Sequence, residues 1–329
     1  DFVVHRGPQE RFFDRLSHPR KEMHILPGFF HDTLGEQDRA VPIGRARRFI
    51  LQQFDQPPQR LSLLNADRVG PSCAEAEALA TPLPPNSLRG LYWRFTRASL
   101  GFGRHWSTGI RLGHDTGFDS GSTLDYVYRN QPTGKTPIGR MMDKNYLESI
   151  GWRGIRQRKL HVEELLRLAM ARLRAQDRPV RIVDIAAGHG RYVLDALTAR
   201  GPLPESILLR DYSDINVRDG RALIDQRDLS DIARFERADA FDRASLAAID
   251  PRPTVGVVSG LYELFGDNRM VSQSLAGLAD AIEPGGYLVY TGQPWHPQLE
   301  FIARALTSHR DGTAWGMGRR CQDEMGQLD

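Results

Sequence analysis

The sequence predicts an α/β fold whose second half is built on a parallel sheet. Three observations support this prediction. From about residue 160 onward, short apolar runs alternate with stretches of helical periodicity. A loop of small residues separates the first of these runs from the helix that follows it, and acidic residues come at the ends of the next two runs. Strands that are separated by helices of ten or more residues pair in parallel through right-handed crossovers.

Five strands are predicted in this half of the chain, and helices separate them. The strands are RIVDI, SILLR, ARFER, TVGVV and YLVYT. Apolar residues at helical spacing predict the intervening and flanking helices. Those helices cover residues 160–175, 190–200, 216–229, 272–286 and 299–308.

Composition narrows the classes of protein that the chain can represent. Its 329 residues, 40% hydrophobic and 26% charged, predict two domains or one large one. No apolar run approaches the roughly 20 residues of a membrane span. The net charge of +3 is spread along the chain, so no nucleic-acid partner is expected. Cys73 and Cys321 fit no metal spacing, so we expect no metal site and a reducing, cytoplasmic setting.

The chain divides into four zones. Residues 1–56 predict a small α/β piece: DFVV as a strand end, a helix over 9–16, the strand KEMHIL, the loop PGFFHDTLGE and a helix ending in RRFILQQF. Residues 57–90 contain QPPQ, GPS and TPLPPNS and are predicted to be a linker. Residues 91–160 are a helical or irregular lead-in that is rich in Arg and aromatic residues, and residues 161–329 contain the predicted sheet.

The stretch VRIVDIAAGHGRYVLDAL, residues 180–197, has the form of a cofactor-binding loop. A buried strand reaches Asp184, small residues follow, and a helix begins at once. Small residues allow close backbone approach to a ligand, and the helix start offers free N–H groups. The third Gly of a dinucleotide fingerprint is absent, since Val193 stands there. A carboxylate at the strand end favours a cationic ligand over a pyrophosphate.

Acidic and small residues follow the later strands. Asp211 ends the second strand, about where an acidic side chain binds ribose hydroxyls in nucleotide sites. Asp239 and Ala240 follow the third strand, and Asp239 could accept a hydrogen bond from an adenine amino group. Ser259 to Glu263 follow the fourth strand. All of these positions lie at strand C-termini, where open α/β sheets bind ligands.

The order of these motifs, over residues 145–305, resembles class I S-adenosylmethionine-dependent methyltransferases. The family's D-x-G-x-G-x-G loop stands here as D-I-A-A-G-H-G, with Ala186 at its first Gly. The resemblance implies a Rossmann-like sheet, S-adenosylmethionine as cofactor, and a lead-in segment that caps it. It also implies seven strands, so the last two are expected to be missing from this chain. The implied cofactor-binding residues are Asp184, Ala186, Gly188, Gly190, Asp211, Asp239, Ala240 and Ser259, and the candidate catalytic residues are Tyr262 and Glu263.

Residues 1–54 resemble the C-terminal end of an α/β-hydrolase of the monoacylglycerol-lipase type. The acid of its catalytic triad corresponds to Asp1, in Asp-Phe-Val-Val, and the histidine to His31, in HILPGFFHDTLGE. The nucleophile motif G-x-S-x-G does not occur in the sequence. The zones together resemble a bacterial fusion of such a hydrolase with a methyltransferase. We therefore expect the remaining hydrolase portion upstream in the same polypeptide, no ester hydrolysis by this chain alone, and, by analogy, a small-molecule or lipid methyl acceptor.

Two alternatives remain open at this point. A nicotinamide-dependent oxidoreductase would use the same loop and strand ends, but Asp184 and the missing third Gly disfavour it. A domain that binds no cofactor and acts as a partner of the hydrolase would share the fold without its chemistry.

Overall fold

Five parallel strands form one sheet in the computed structural model of the protein. They are β1 (Arg181–Ile185), β2 (Ser206–Asp211), β3 (Ala233–Arg237), β4 (Val255–Val258) and β5 (Tyr287–Tyr290). Their order across the sheet is β3-β2-β1-β4-β5, and all four neighbouring pairs are parallel. Val183 of β1 pairs with Leu208 on one side and with Gly256 on the other. The five predicted strands and their parallel pairing are therefore confirmed.

The structure describes residues 5–16, 20–55, 75, 78, 79, 81–197, 201–265, 268–293 and 296–306. The chain divides into two compact units, residues 1–62 and 63–329. Most of the predicted linker, both cysteines and everything after residue 306 lie outside the described residues. No described residue after β5 belongs to a further strand. Within the described ranges, no helix combines the length and the apolar character that crossing a membrane requires.

Eleven segments of helix accompany the sheet in the described part of the larger unit. Before the sheet come α3 (Leu88–Gly103), α4 (Thr108–Thr116), α5 (Gly121–Arg129), α6 (Pro137–Leu147) and α7 (Ile150–Arg174). Between and after the strands come α8 (Arg191–Ala196), α9 (Asp214–Gln226), α10 (Arg243–Ala247), a 3-10 turn (Tyr262–Leu264), α11 (Asn268–Ala281) and α12 (Leu299–Ala305).

The central strands β1, β2 and β4 contribute apolar residues to both faces of the sheet, because successive side chains point to opposite sides. Ile182 of β1 belongs to the core with α7, α8 and α9, whereas Val183 belongs to the core with α10 and α11. Leu209 and Leu208 of β2 divide between the faces in the same way. Strands that are covered on both faces are buried along their length, which explains the apolar runs of β1, β2 and β4, whereas the edge strand β3 exposes Arg234 and Glu236.

The lead-in segment is helical throughout most of its length. Ser87, Ser107, Ser120 and Thr136 each cap a helix, and each side-chain oxygen accepts a hydrogen bond from a backbone N–H in the first turn. A third core cluster, which includes Phe118, joins these helices to α12. The long helix α7 begins at Ile150, ten residues before the predicted start, because its first turns pack in this cluster through Trp152.

The smaller unit contains two helices among its described residues, α1 (Arg6–Arg15) and α2 (Ala40–Asp55). The prediction of a strand over KEMHIL is wrong, since residues 21–26 form neither helix nor strand. A strand needs a neighbouring strand whose backbone forms hydrogen bonds with its own N–H and C=O groups. Residues 5–16 and 20–55 contain no such neighbour. The predicted strand end DFVV, with Asp1, lies outside the described residues.

Candidate active site

A cleft opens at the C-terminal ends of β1, β2, β3 and β4. It encloses about 860 Å³ of empty space, its open mouth included. The loops that follow the four strands form one wall, and α5 of the lead-in forms the other. The lining includes Ala186, Gly188, Gly190, Asp211, Asp239, Ala240 and Ser259, which are seven of the eight residues predicted to bind a cofactor.

The loop after β1 turns sharply, and three of its residues adopt left-handed backbone conformations. Ala186, Gly188 and Gly190 have φ values of +53°, +60° and +70°. Gly188 also lies against Gly121, the first residue of α5: a Cβ on Gly121 would stand 2.6 Å from the Cα of Gly188. A side chain at either glycine would therefore push α5 away from the loop.

Asp211 fixes the position of this loop from the end of β2. Its Oδ2 accepts a hydrogen bond from the backbone N–H of Gly188 at 2.9 Å. Its Oδ1 accepts from the backbone N–H of Ser213 at 2.9 Å and from Nδ2 of Asn216 at 3.1 Å. The side chain is 4% exposed and lines the cleft. Asp211 is thus both a wall residue of the cleft and a support of the loop.

Aromatic rings border the part of the cleft beyond β3. Asp239 is exposed, and its Oδ1 accepts a hydrogen bond from the backbone N–H of Phe241 at 2.9 Å. The rings of Phe241 and Phe265 meet edge to face, with centroids 4.6 Å apart. Together with Ala240, these two rings give an apolar slot that a flat ring system could enter.

Asp184 does not line the cleft, which corrects its predicted place in the cofactor site. It is fully buried under the loop, and its Oδ1 accepts a hydrogen bond from the Tyr192 hydroxyl at 2.9 Å. Burial raises the pKa of Asp184 well above its usual value, although the hydrogen bond from Tyr192 opposes the rise. Asp184 points to the α8 side of the sheet, the same side as Ile182, because alternate residues of a strand share a face.

The lead-in helix α5 supplies a charged group that the sequence reasoning missed. Arg191 Nε donates to Asp125 Oδ1 at 2.5 Å, and Nδ1 of His189 lies 3.6 Å from Asp125 Oδ2. Burial by itself raises the pKa of Asp125, but hydrogen bonds from His189 and Arg191 lower it to about 2. Only the fold places α5 beside the loop, so no local pattern could have identified Asp125.

The two predicted catalytic residues lie on different sides of the 3-10 turn. Tyr262 is 1% exposed, its hydroxyl lies 3.0 Å from the Ser274 hydroxyl, and it packs in the core with α11. Tyr262 lines neither the cleft nor the cavity that adjoins it, so the predicted catalytic role does not fit its position. Glu263 faces the other way, and its Oε1 accepts a hydrogen bond from Arg158 Nη1 at 2.7 Å. Burial raises the pKa of Glu263, and the Arg158 guanidinium opposes that rise.

A second cavity adjoins the cleft. The two spaces share Asp119, Leu124, Gly260 and Leu264 in their linings. Glu263 lies on the wall of the second cavity only, between the shared residues Gly260 and Leu264 along the chain. Gly260, with φ +78°, lies so close to Arg158 that a Cβ would stand 2.7 Å from the guanidinium. The site therefore consists of two adjoining chambers, and the ion pair of the buried Glu263 with the partly buried Arg158 lies beside their junction.

His31 lies in the smaller unit, where its side chain is exposed. Its predicted triad partner Asp1 lies outside the described residues. No cluster of three or more His, Cys, Asp or Glu side chains suited to a metal ion occurs in the described part of the chain.

The sequence of the chain is similar to a protein family and to a known bacterial protein. The family model described as "Putative methyltransferase" matches residues 46–329. An Escherichia coli K12 protein, "Uncharacterized protein YnbC", is 54% identical to the chain over all of its 329 residues. The chain spans 56% of the length of that relative.

Solved structures show more distant similarity. A SAM-dependent methyltransferase from Geobacter sulfurreducens in complex with S-adenosyl-L-homocysteine is 19% identical, with 39% of this chain and 47% of that chain covered and a TM-score of 0.30. The glycopeptide N-methyltransferase MtfA is 20% identical, with 38% and 52% covered and a TM-score of 0.28. A Bordetella parapertussis protein described as "a possible exported protein" is 17% identical, with 90% and 89% covered and a TM-score of 0.45. Because all three TM-scores are below 0.5, these similarities support no conclusion about the function of this chain.

Proposed function

The chain belongs to the methyltransferase family whose model covers its residues 46–329, and on this premise we propose that it transfers a methyl group from S-adenosylmethionine to a small-molecule or lipid acceptor. The cleft at the strand ends is the proposed cofactor site, and the adjoining cavity is the proposed place of the acceptor.

The observation that carries this proposal is the charge of the cleft. Four aspartates line it among the described residues, namely Asp119, Asp125, Asp211 and Asp239, against a single arginine, Arg191. An acidic cleft favours a ligand with a sulfonium and an ammonium group over one with a doubly charged pyrophosphate. This charge distribution supports S-adenosylmethionine over a nicotinamide dinucleotide.

The residues of the cleft fit this cofactor in three places. The loop with Gly188 and Gly190, where no side chain could stand without displacing a neighbour, suits the methionine portion. Asp211 suits the ribose, since it is an acidic side chain at the end of β2 that lines the cleft. The slot between Asp239, Ala240 and the two phenylalanine rings suits the adenine. Ser259 directly follows β4 and precedes Gly260, which lines both the cleft and the second cavity.

When bound, S-adenosylmethionine supplies a methyl group that is activated by its positive sulfur. The chain's own contribution is therefore chiefly positioning and exclusion of water, which can account for a large part of a rate enhancement. Helix α5 of the lead-in lies against the loop that follows β1, and its residues Gly121 and Asp125 form that side of the cleft. Asp184 supports Tyr192, which also lines the cleft, and is proposed to act on the cofactor only through that support.

Calorimetric titration with S-adenosylhomocysteine and, separately, with NAD tests the proposal. We expect S-adenosylhomocysteine to bind with a micromolar Kd and NAD to show no binding at the same concentrations. Binding of NAD alone would support an oxidoreductase instead. Absence of binding by either ligand would support the interpretation as a cofactor-free partner domain.

For the smaller unit we propose, on the resemblance of its sequence, the C-terminal piece of an α/β-hydrolase. The curated relative is longer than this chain, which leaves room in that protein for a further domain. The test is ester hydrolysis by the full-length relative and by a variant in which alanine replaces the residue that aligns with His31.

A further inference from the structure

The second cavity is large and mostly apolar. It encloses about 1340 Å³ of empty space, with its mouth included. Helices of the lead-in form most of its wall, and α12 completes it. The apolar and aromatic residues of the lining are Leu100, Ile110, Phe118, Leu124, Met142, Tyr146, Trp152, Ile155, Leu264, Phe301, Ile302 and Leu306. A chamber of this kind binds ligands with substantial apolar surface.

One carboxylate oxygen on this wall has no partner. Glu263 is 5% exposed, its Oε1 accepts from Arg158, and its buried Oε2 makes no hydrogen bond to any described residue. Buried polar atoms are almost always hydrogen-bonded in folded proteins, so an exception of this kind requires an explanation. A bound molecule that reaches Oε2 through a small displacement of the surrounding wall, and donates a hydrogen bond to it, would provide one.

The histidine on the same wall has a different role. Nδ1 of His296 accepts a hydrogen bond from the backbone N–H of Gln298 at 2.9 Å. Burial lowers the pKa of His296, so the ring is neutral and its proton resides on Nε2. A neutral ring with that tautomer presents a donor at Nε2. Glu263 is therefore a better proton acceptor for this cavity than His296 is.

We propose that this cavity is the methyl-acceptor site, that it takes an apolar compound with a hydroxyl group, and that this hydroxyl donates its hydrogen bond to Glu263 Oε2. This inference rests on the proposed function. In the transfer, the acceptor oxygen forms a bond to the methyl carbon, and the carbon–sulfur bond breaks with its electron pair remaining on sulfur. The hydroxyl proton passes to Oε2, which leaves Glu263 neutral.

The position of Glu263 fits this role. The residue lies between Gly260 and Leu264, both of which line the cofactor cleft as well, so its carboxylate is beside the junction of the two chambers. Arg158 holds the carboxylate in one orientation through Oε1. Asp119 is the second carboxylate at this junction, and substitution of each residue in turn shows which of them accepts the hydrogen bond.

Two probes test the hydrogen bond. Binding of 2-naphthol and of 2-methoxynaphthalene, which lacks the hydroxyl proton, is measured by fluorescence titration with and without S-adenosylhomocysteine. We expect 2-naphthol to bind roughly tenfold more tightly, since a hydrogen bond to a charged group is worth about that factor or more. In Glu263→Gln, the amide group replaces Oε2 by a donor, and the preference should fall to roughly twofold or less.

Asp119→Asn serves as the comparison for the assignment of the acceptor. Loss of the preference in Asp119→Asn but not in Glu263→Gln overturns the proposal. Equal affinity of the two probes in the unaltered chain also overturns it, and this arm remains decisive if Glu263→Gln does not fold.

A matched pair of substitutions on α3 tests the location. Leu100 lines the cavity, whereas Leu91, on the same helix, is exposed. Leu100→Trp should fill part of the cavity and weaken 2-naphthol binding by roughly tenfold or more, because added bulk must displace the ligand. Leu91→Trp should leave binding unchanged, and equal effects of the two would overturn the location.

Titration with S-adenosylhomocysteine separates this inference from the proposed function. If S-adenosylhomocysteine binds equally well to the unaltered chain and to Leu100→Trp while the two naphthalene probes give one of the contradicting results, the acceptor inference alone is overturned. If it does not bind, the proposed function fails, and the acceptor role of the cavity fails with it.

Discussion

The backbone N–H of Gly188 donates a hydrogen bond to the carboxylate of Asp211 at 2.9 Å, so the end of β2 holds the loop that follows β1. The same carboxylate accepts from Ser213 and Asn216 at the start of α9. Asp211 therefore connects three segments of the cleft before any ligand contributes.

Asp211→Asn should weaken S-adenosylhomocysteine binding by roughly 5- to 100-fold and lower the free energy of unfolding by about 1–3 kcal/mol. One carboxylate oxygen becomes an amide donor, so a buried N–H group loses its acceptor. Calorimetry measures the affinity, and urea denaturation measures the stability.

Asp214→Asn is the matched control. Asp214 is exposed in the first turn of α9 and pairs only loosely with Arg237, at 3.4 Å. We expect a change of stability below about 1 kcal/mol, from its interaction with the helix dipole, and unchanged ligand affinity. If Asp211→Asn behaves like Asp214→Asn, the role assigned to Asp211 is wrong.

Ala186→Gly should be tolerated or slightly stabilising. Ala186 has a φ of +53°, a conformation that costs a residue with a Cβ about 1–2 kcal/mol. Glycine removes that cost but loses more entropy on folding, so the net change in the free energy of unfolding should stay within about 1 kcal/mol. Thermal melts and S-adenosylhomocysteine titrations check both stability and binding.

Two further substitutions serve as comparisons for this prediction. Ala222→Gly, at an exposed position inside α9, should destabilise by about 1 kcal/mol, because the helical backbone there gives glycine no advantage. Ala186→Val should destabilise by about 2 kcal/mol or more, since a β-branched residue is poorly accommodated at this φ. A greater loss from Ala186→Gly than from Ala222→Gly contradicts the assigned strain.

Asp125 should stabilise the protein at neutral pH and lose that contribution in acid. Its pKa is lowered from 3.8 to about 2 in the folded state. The unfolded state therefore binds the proton more readily, and the contribution is complete above about pH 4 and disappears as the pH falls toward about 2. At about 1.4 kcal/mol for each pKa unit, the contribution is on the order of 2 kcal/mol.

Urea denaturation of the unaltered chain and of Asp125→Asn, at several values between pH 7 and pH 3, measures this contribution. The difference in stability between the two should be largest at pH 7 and should shrink toward pH 3. Asp115→Asn, at an exposed position on α4, is the control and should show no such trend. A difference that is constant with pH would mean that the ion pairs of Asp125 do not stabilise the fold.

The chain alone should not hydrolyse p-nitrophenyl butyrate. His31 and Asp1 would orient and activate a serine nucleophile, but the sequence has no G-x-S-x-G motif to supply it. The rate with the purified chain should equal the rate in buffer, and His31→Ala should give the same result. Hydrolysis that His31→Ala abolishes would contradict this prediction.

Four of the five strands could be predicted closely because each contains a short, nearly continuous apolar run, whereas β3 alternates, with Ala233 and Phe235 buried and Arg234 and Glu236 exposed. A strand buried on both faces needs such a run whatever its neighbours are. The short helix α10 was missed, since five residues give too little periodicity to detect. The strand predicted over KEMHIL failed for the opposite reason: a local pattern favours a strand, but a strand forms only where another can pair with it.

The loop after β1 and the residues at the strand ends could also be predicted, because they lie at fixed places after apolar runs. Seven of the eight predicted residues line the cleft. Asp184 does not, because its face of β1 is set by the alternation of side chains and by the helices that cover that face. Tyr262 and Glu263 are neighbours in sequence, yet the 3-10 turn directs one into the core and the other toward the second cavity.

The sequence by itself determined the fold class, the five strands and the place of the loop, because these depend on local runs of side-chain character. Only the tertiary structure decided that Asp125 joins His189 and Arg191, that Gly121 lies against Gly188, and that Glu263 meets Arg158. Arg158 and Glu263 are 105 positions apart in the chain. Contacts at such separations depend on how helices pack around the sheet, and packing is a property of the whole core that no local pattern records.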